Sequence, residues 1–187
     1  MNIRIYAASL LLLLPGGGHA LELAGVTLPA QVTVADTRLE LNGAGIRSKF
    51  FFDIYVGALY LPRKTRDAEA AITMDGPKRV TMHFLYKKVE REKLVDAWNE
   101  GFSNNLGRER FDALKPRLAA FNELFTTVRR GDTITLDYLP GAGTRVSING
   151  QEKGRVPGGQ FYAALLRVWL GDEPADEDLK EGMLGGD

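Results

Sequence analysis

The sequence predicts an α+β domain in which an antiparallel sheet is covered by helices on one face. Three observations carry this. Strand patterns come first, then two helices, then strands again, then a helix, with no βαβ alternation. The strand patterns are separated by short turn signals suited to hairpins, such as Asn149-Gly150. The helical segments carry apolar stripes at the 3.6-residue period.

Val32–Leu41 reads as one or two short strands. Asp36-Thr37 and the alternation Arg38-Leu39-Glu40-Leu41 suggest a tight hairpin with one wet face. Asn42-Gly43 supplies a turn signal. Phe50–Leu61 has the length and aromatic content of a central strand, which Pro62 ends because proline cannot donate to the ladder. Asp67–Ile72 reads as a short helical turn and Lys78–Leu85 as another strand. From about Glu90 to Asn104, Leu94, Trp98 and Phe102 share one helical stripe. From about Arg108 to Phe125, Phe111, Leu114, Leu118, Phe121 and Phe125 do the same, and Pro116 inside the stretch predicts a kink or break. After Gly131-Asp132 come the strand patterns Thr133–Leu139, Thr144–Ile148 and Gln151–Val156. A helix from about Gly159 to Leu170 has Phe161, Leu165 and Trp169 on one side, with Gly171 as its C′ residue. Ala175–Leu184 can form a short charged helix.

The chain's 187 residues suffice for one good core and argue against a second full domain. It is 44% apolar and 26% charged, with 24 basic and 24 acidic residues. That balance gives no support to a nucleic-acid partner or a polybasic membrane anchor. Residues 1–20 read as a cleaved signal peptide: Arg4, a leucine-rich run over Ile5–Pro15, and Gly18-His19-Ala20 as a small-x-small cleavage site. The run is too short to span a bilayer comfortably, so no stable membrane span is expected after cleavage. The mature chain, 21–187, would be an exported, periplasmic single domain. It has no cysteine, so packing alone must hold it, and thiol chemistry is excluded.

Past residue 20 the one histidine is His83, which excludes a histidine-rich zinc site; HExxH and GxSxG are absent. Gly43-Ala44-Gly45 departs from a dinucleotide loop, with Ser48 at the third glycine position and a strand, not a helix, following. The acidic run from Asp172 to Asp178 lacks EF-hand spacing. Arg91, Lys93, Arg108 and Arg110 spread along the wet faces of helices. No metal and no cofactor is expected.

One residue stands out. Arg47 lies within LNGAGIRSKFFFDIYVGALYLP, between glycines and a strongly apolar strand. A guanidinium at the rim of an apolar interior needs a counter-anion, because stranding it costs several kcal/mol. The anion is either an internal carboxylate, such as Asp53 or Glu40, or a ligand's carboxylate or phenolate. Tyr55, in the same apolar strand, must also find a partner for its hydroxyl and could share one with Arg47.

GAGIRSKFFFDIYVGALYL, KRVTMHFLY, DAWNEGF and VSINGQEKGRVPGGQFYAALLRVWLGD together resemble the chalcone isomerase superfamily, specifically the bacterial chalcone-isomerase-like proteins, many of them exported. The resemblance implies an open-faced β-sandwich: a large antiparallel sheet against a helical layer, with a smaller sheet segment on the other side. It also implies that Arg47 occupies the position that handles a phenolate in the cyclising enzymes and a carboxylate in fatty-acid-binding members. The rest of the catalytic set does not match. Tyr55 stands where the enzymes place a threonine, Glu90-Arg91 near their tyrosine, Ala97 near their asparagine with Asn99 two residues on, and Tyr162 near the last active-site position.

Three readings follow. The first is non-catalytic binding of a small amphipathic, fatty or aromatic acid, with Arg47 on the anion. Tyr55 and Tyr162 would donate to it, and Phe50, Phe52, Trp98 and Phe102 would line the apolar part. The second is an isomerase or lyase acting on a phenolic or enone substrate, with Arg47 stabilising an oxyanion and Glu90 or Tyr162 as acid or base. The third is a structural or protein-interaction role in the cell envelope, with Arg47 paired internally.

Overall fold

The computed structural model describes residues 20–186. Residues 1–19, and with them the expected leader up to Ala20, lie outside the described part. The chain opens with a hairpin, β1 (Leu21–Leu23) and β2 (Val26–Leu28), followed by β3 (Gln31–Val34), β4 (Thr37–Lys49) and β5 (Phe52–Leu61). Then come α1 (Ala68–Thr73), β6 (Lys78–Phe84), β7 (Lys88–Val89), α2 (Arg91–Asn105), α3 (Arg108–Asn122) and β8 (Val128–Arg129). The remaining elements are β9 (Thr133–Leu139), β10 (Gly143–Ile148), β11 (Gln151–Val156), α4 (Gly159–Leu170) and α5 (Glu177–Met183). Seven strands form one antiparallel sheet in the order β11-β10-β9-β6-β5-β4-β3, and β1-β2 and β7-β8 are small separate sheets.

The period-2 alternation of the strands sorts side chains onto two faces. On β5, Tyr55, Leu59 and Leu61 join Val80, Met82 and Phe84 of β6 and Ile134 and Leu136 of β9 under the helices. Val56, Ala58 and Tyr60 point the other way, where the β1-β2 hairpin covers them with Leu28, Leu23 and Val26. The helical layer is knit by an aromatic cluster: Trp98 of α2 has Phe121, Phe125 and Trp169 within 5.5–5.6 Å, centroid to centroid. This is the α+β architecture the sequence predicts, with the smaller sheet segment on the outer face.

Most elements begin and end where the residue chemistry says. Asp67 caps α1 by accepting from Ala70 N–H, and Ala35 and Asp36 turn the β3-β4 hairpin with φ of 46° and 61°. Three expectations need correction. Helix α3 runs through Pro116 without a break and ends at Asn122, short of Phe125. Gly171 is the C-cap of α4 in an extended conformation (φ −75°), not a left-handed C′ residue. Asn42-Gly43 is not a turn: β4 continues through it, and the chain reverses instead at Phe50-Phe51.

What Asn42 makes is a bulge, because Leu41 pairs with Tyr60 and Gly43 with the next residue, Leu59. Its buried side chain holds the distortion by donating to Met183 O (2.8 Å) and accepting from Thr65 N–H (2.8 Å). The neighbouring glycines are required by α5, which lies directly on the strand. A Cβ at Gly45 would stand 3.0 Å from Leu179 Cα, one at Gly57 2.9 Å from Leu179 Cδ1, and one at Gly182 2.5 Å from Ala44 O. Gly182→Ala therefore has backbone, not a yielding side chain, in its way. It is expected to lower stability by about 1–3 kcal/mol, the usual cost of overpacking, read as a lower urea midpoint with faster proteolysis within α5.

Candidate functional site

The bulge decides which face Arg47 occupies. Before it, Leu39 and Leu41 belong to the outer cluster; after it, Ala44 and Ile46 do, so the odd-numbered Gly43, Gly45 and Arg47 turn toward the helices. One inserted residue moves a whole run of side chains to the opposite face. Arg47 then pairs directly with Tyr55 across the ladder, and its Cζ lies 5.9 Å from the centre of the Tyr55 ring, within cation–π range.

Arg47 and Tyr55 stand at a cleft of about 570 Å³ between the sheet and α2. Its wall is mainly apolar, with Ile54, Met82 and Phe84 from the sheet, Leu94 and Trp98 from α2, and Val168 from α4. Pro174 and Ala175, in the loop leading to α5, close one side, and Lys49, Lys88, Glu90 and Lys93 also border it. Lys88 and Glu90 neutralise each other at 2.5 Å.

Asp96, Glu100, Asn104 and Glu173 also line the cleft, and the donors Arg47, Tyr55 and Trp98 stand among its apolar residues. Arg47 Nε is buried and bonds to nothing among the described residues, and no carboxylate lies within ion-pair distance of the guanidinium there. The internal partners considered are engaged or distant. Asp53 accepts from Ser48 Oγ (2.9 Å), and Glu40 pairs in register with Gln31 and Leu61 toward the other end of β4. Asp176 is held by Ser48 N–H and Leu179 N–H, both at 3.0 Å. Trp98 Nε1 is likewise buried without a partner. Tyr55 Oη accepts from Trp169 Nε1 at 2.9 Å, which leaves the Tyr55 hydroxyl proton free to donate. Burial raises the Tyr55 pKa, with Arg47 opposing, so the phenol stays neutral and remains a donor.

The structure brings Arg47, Tyr55 and Trp98 to the cleft, with Glu90 at its rim, and leaves Tyr162, Phe102, Phe50 and Phe52 outside it. Tyr162 is fully buried away from the cleft, donating to Leu136 O (3.1 Å) and stacked on Tyr138 at 5.3 Å. Phe102 points into the helical core against Phe161 (5.3 Å) and does not reach the cleft wall. Phe50 and Phe52 line nothing, since the hairpin turn carries them into solvent, 86% and 55% exposed. Glu90 is on the rim, with Lys88 and Thr127 holding its carboxyl below the usual range. Ala97 lines the cleft, whereas Asn99 turns outward and accepts from Asn122 Nδ2. His83 is half-buried on the outer face beside Thr133 Oγ1 (3.1 Å), a strand residue and no more. Sequence reasoning missed Met82, Phe84 and Trp169. The first two were available from the alternation in VTMHFLY, which puts Val80, Met82 and Phe84 on one face.

The fold has relatives. The crystal structure of a fatty-acid binding protein from Arabidopsis thaliana matches with a TM-score of 0.72, covering 89% of this chain and 96% of that one at 20% identity. At that identity the likeness is one of fold. Fatty-acid-binding protein 1 of Arabidopsis thaliana is 26% identical over 108 residues, which are 56% of this chain and 39% of that protein. The match thus spans about two fifths of that relative's length. The model of the family described as chalcone isomerase-like matches residues 20–185, nearly all of the described chain. By that match, this chain belongs to the chalcone isomerase-like family.

Proposed function

We propose that the protein binds a small amphipathic acid, of the fatty-acid type, in the Arg47 cleft without transforming it. The observation that carries this reading is the unmatched set of donors. Arg47 Nε and Trp98 Nε1 are buried and unpaired, and Tyr55 has a proton to give. An anion is what such a set lacks. A carboxylate would take a charge-assisted bond from Arg47 and a neutral one from Tyr55. The cleft volume falls within the range of about 300–1,000 Å³ usual for small-molecule pockets, and its apolar wall suits a hydrocarbon or aromatic tail. The tail would supply most of the affinity, at roughly 0.8 kcal/mol per buried methylene before association costs. Arg47 would select the head group. The name of the Arabidopsis protein, fatty-acid-binding protein 1, points the same way.

Binding is favoured over isomerisation by what surrounds Arg47. Glu90 is kept ionised at the rim, which suits it poorly as a general acid, and Tyr162 is spent on Leu136 O outside the cleft. Tyr55, with its raised pKa, is a poor base. A purely structural role for Arg47 is disfavoured by its lack of a carboxylate partner among the described residues. Export to the periplasm with removal of residues 1–20 stays part of the reading, on the sequence alone.

Native mass spectrometry of protein purified from the periplasm tests both parts. The expected spectrum shows a chain beginning at Leu21 with one acid bound, released by organic extraction. An apo chain that takes up no added palmitate would sink the binding reading, and a chain still carrying Met1 would sink export with cleavage. Arg47→Met is expected to weaken palmitate binding about 10- to 100-fold, as a charged hydrogen bond is worth about 1.5–3 kcal/mol. Hexadecanol affinity should be unchanged, and titration calorimetry of acid against alcohol reads the difference. Equal losses for both ligands would mean that Arg47 shapes the cleft and does not choose the head group. Tyr55→Phe removes the acceptor of the buried Trp169 Nε1 and should cost about 1–3 kcal/mol in urea unfolding, with a smaller loss of palmitate affinity than Arg47→Met.

A further inference from the structure

The turn between β4 and β5 is built against the ordinary rules of hairpins. A two-residue turn of this kind favours glycine, asparagine or aspartate, because positive φ is costly for a bulky side chain. Here the two residues are Phe50 and Phe51. Phe50 adopts φ 57°, and the side chains stand 86% and 99% exposed, with Phe52 beside them at 55%. Backbone strain and aromatic exposure coincide at one tip, and neither helps the isolated fold.

The tip adjoins the mouth of the cleft. Phe52 packs edge-on against Tyr86 (5.5 Å), which lines the cleft, and Lys49, paired in register with Phe52, lines it too. A basic strip runs on from there. Lys87 and Lys88 follow Tyr86, Lys88 pairs in register with Arg129, and Arg130 N–H donates to Lys87 O. All four side chains are exposed. Of the carboxylates nearby, Asp53 is held by Ser48 Oγ, Glu90 by Lys88, Asp96 by Lys93, Asp132 by Arg129 N–H and Asn149, and Asp176 by Ser48 N–H, while Glu100 and Glu173 line the cleft on the side of α2 and of the loop before α5.

We propose that the Phe50-Phe51-Phe52 tip and the adjacent Lys49, Lys87, Arg129 and Arg130 dock the protein on a bilayer surface bearing anionic headgroups. The aromatics enter the interfacial region and the cations face the headgroups, the two-part attachment that gives reversible peripheral binding. The cleft mouth is thereby presented to the membrane from which an amphipathic acid would be drawn or to which it would be returned. The docking stands on the tip and the strip; only its purpose rests on the acid-binding reading.

Co-sedimentation with vesicles tests it, using phosphatidylcholine with and without phosphatidylglycerol, alongside palmitate binding in vesicle-free solution. The wild-type protein is expected to sediment with the anionic vesicles and to be released by high salt. Phe50→Asn combined with Phe51→Ser should weaken partitioning by about tenfold or more. It should leave palmitate affinity unchanged and the urea midpoint unchanged or higher, since asparagine tolerates positive φ. Lys87→Glu with Arg130→Glu should abolish the preference for anionic vesicles. Wild-type protein that stays in the supernatant, or a tip variant that sediments as well as wild type, would overturn the proposal. So would a dimer, seen by analytical ultracentrifugation without lipid and lost in the tip variant, because the tip would then serve a second copy. Tip-dependent sedimentation by a protein that binds no palmitate would uphold the docking and refute only the acid-binding reading.

Discussion

The cleft depends on a bulge in β4 that a single buried amide holds open. Asn42 bonds forward to Thr65 and across to Met183, and the extra residue it accommodates reverses the facing of everything after it in the strand. With the bulge, Gly43 and Gly45 give a flat bed to α5, and Arg47 meets Tyr55 beneath the helical layer. Without it, Arg47 would stand on the outer face with the residues that pack under the β1-β2 hairpin, and the cleft would lose its guanidinium.

The electrostatics of the cleft contrast with those elsewhere in the protein. On the outer face, Asp137 is almost wholly buried yet pinned by Arg79 and Arg145, at 2.6 and 2.5 Å, so that arginine charge is matched. Arg167 finds Glu69 at 2.7 Å. The fold is therefore able to supply carboxylates to arginines and does so away from the cleft. At Arg47 the nearby carboxylates are drawn off by backbone and hydroxyl donors, chiefly Ser48, which takes Asp53 on its side chain and Asp176 on its N–H. That Arg47 has no carboxylate partner among the described residues has a physical cause in the residue next to it.

The layered architecture was legible in the sequence because hairpin turns and helical stripes are local signals. The strand patterns Thr133–Leu139 and Gln151–Val156 and the helix Gly159–Leu170 needed only turn residues and periodicity, and they stand where the pattern placed them. Arg47 and Tyr55 could be singled out for the same reason, as polar groups in an apolar run. What escaped was decided at a distance. Asn42-Gly43 has the chemistry of a turn, and only a carbonyl 141 residues later makes it a bulge. Tyr162 and Phe102 lie on helices whose rotation about their axes, set by packing on the sheet, directs them to Leu136 and Phe161 and not to Arg47. Phe50 and Phe52 are expected to line the ligand's apolar part because they open an aromatic-rich strand, whereas the chain reverses at Phe50-Phe51, inside that run.

The position of α5 in the chain has a consequence for biosynthesis. All of the strands, and the other helices, precede it, yet it is Leu179 that covers Gly45 and Gly57, and Met183 that secures Asn42. During vectorial synthesis the sheet can pair while the glycine bed of β4 is still bare, and that bed is covered only after residue 183 has left the ribosome. Until α5 packs, the glycines of β4 and β5 that it covers remain an open groove.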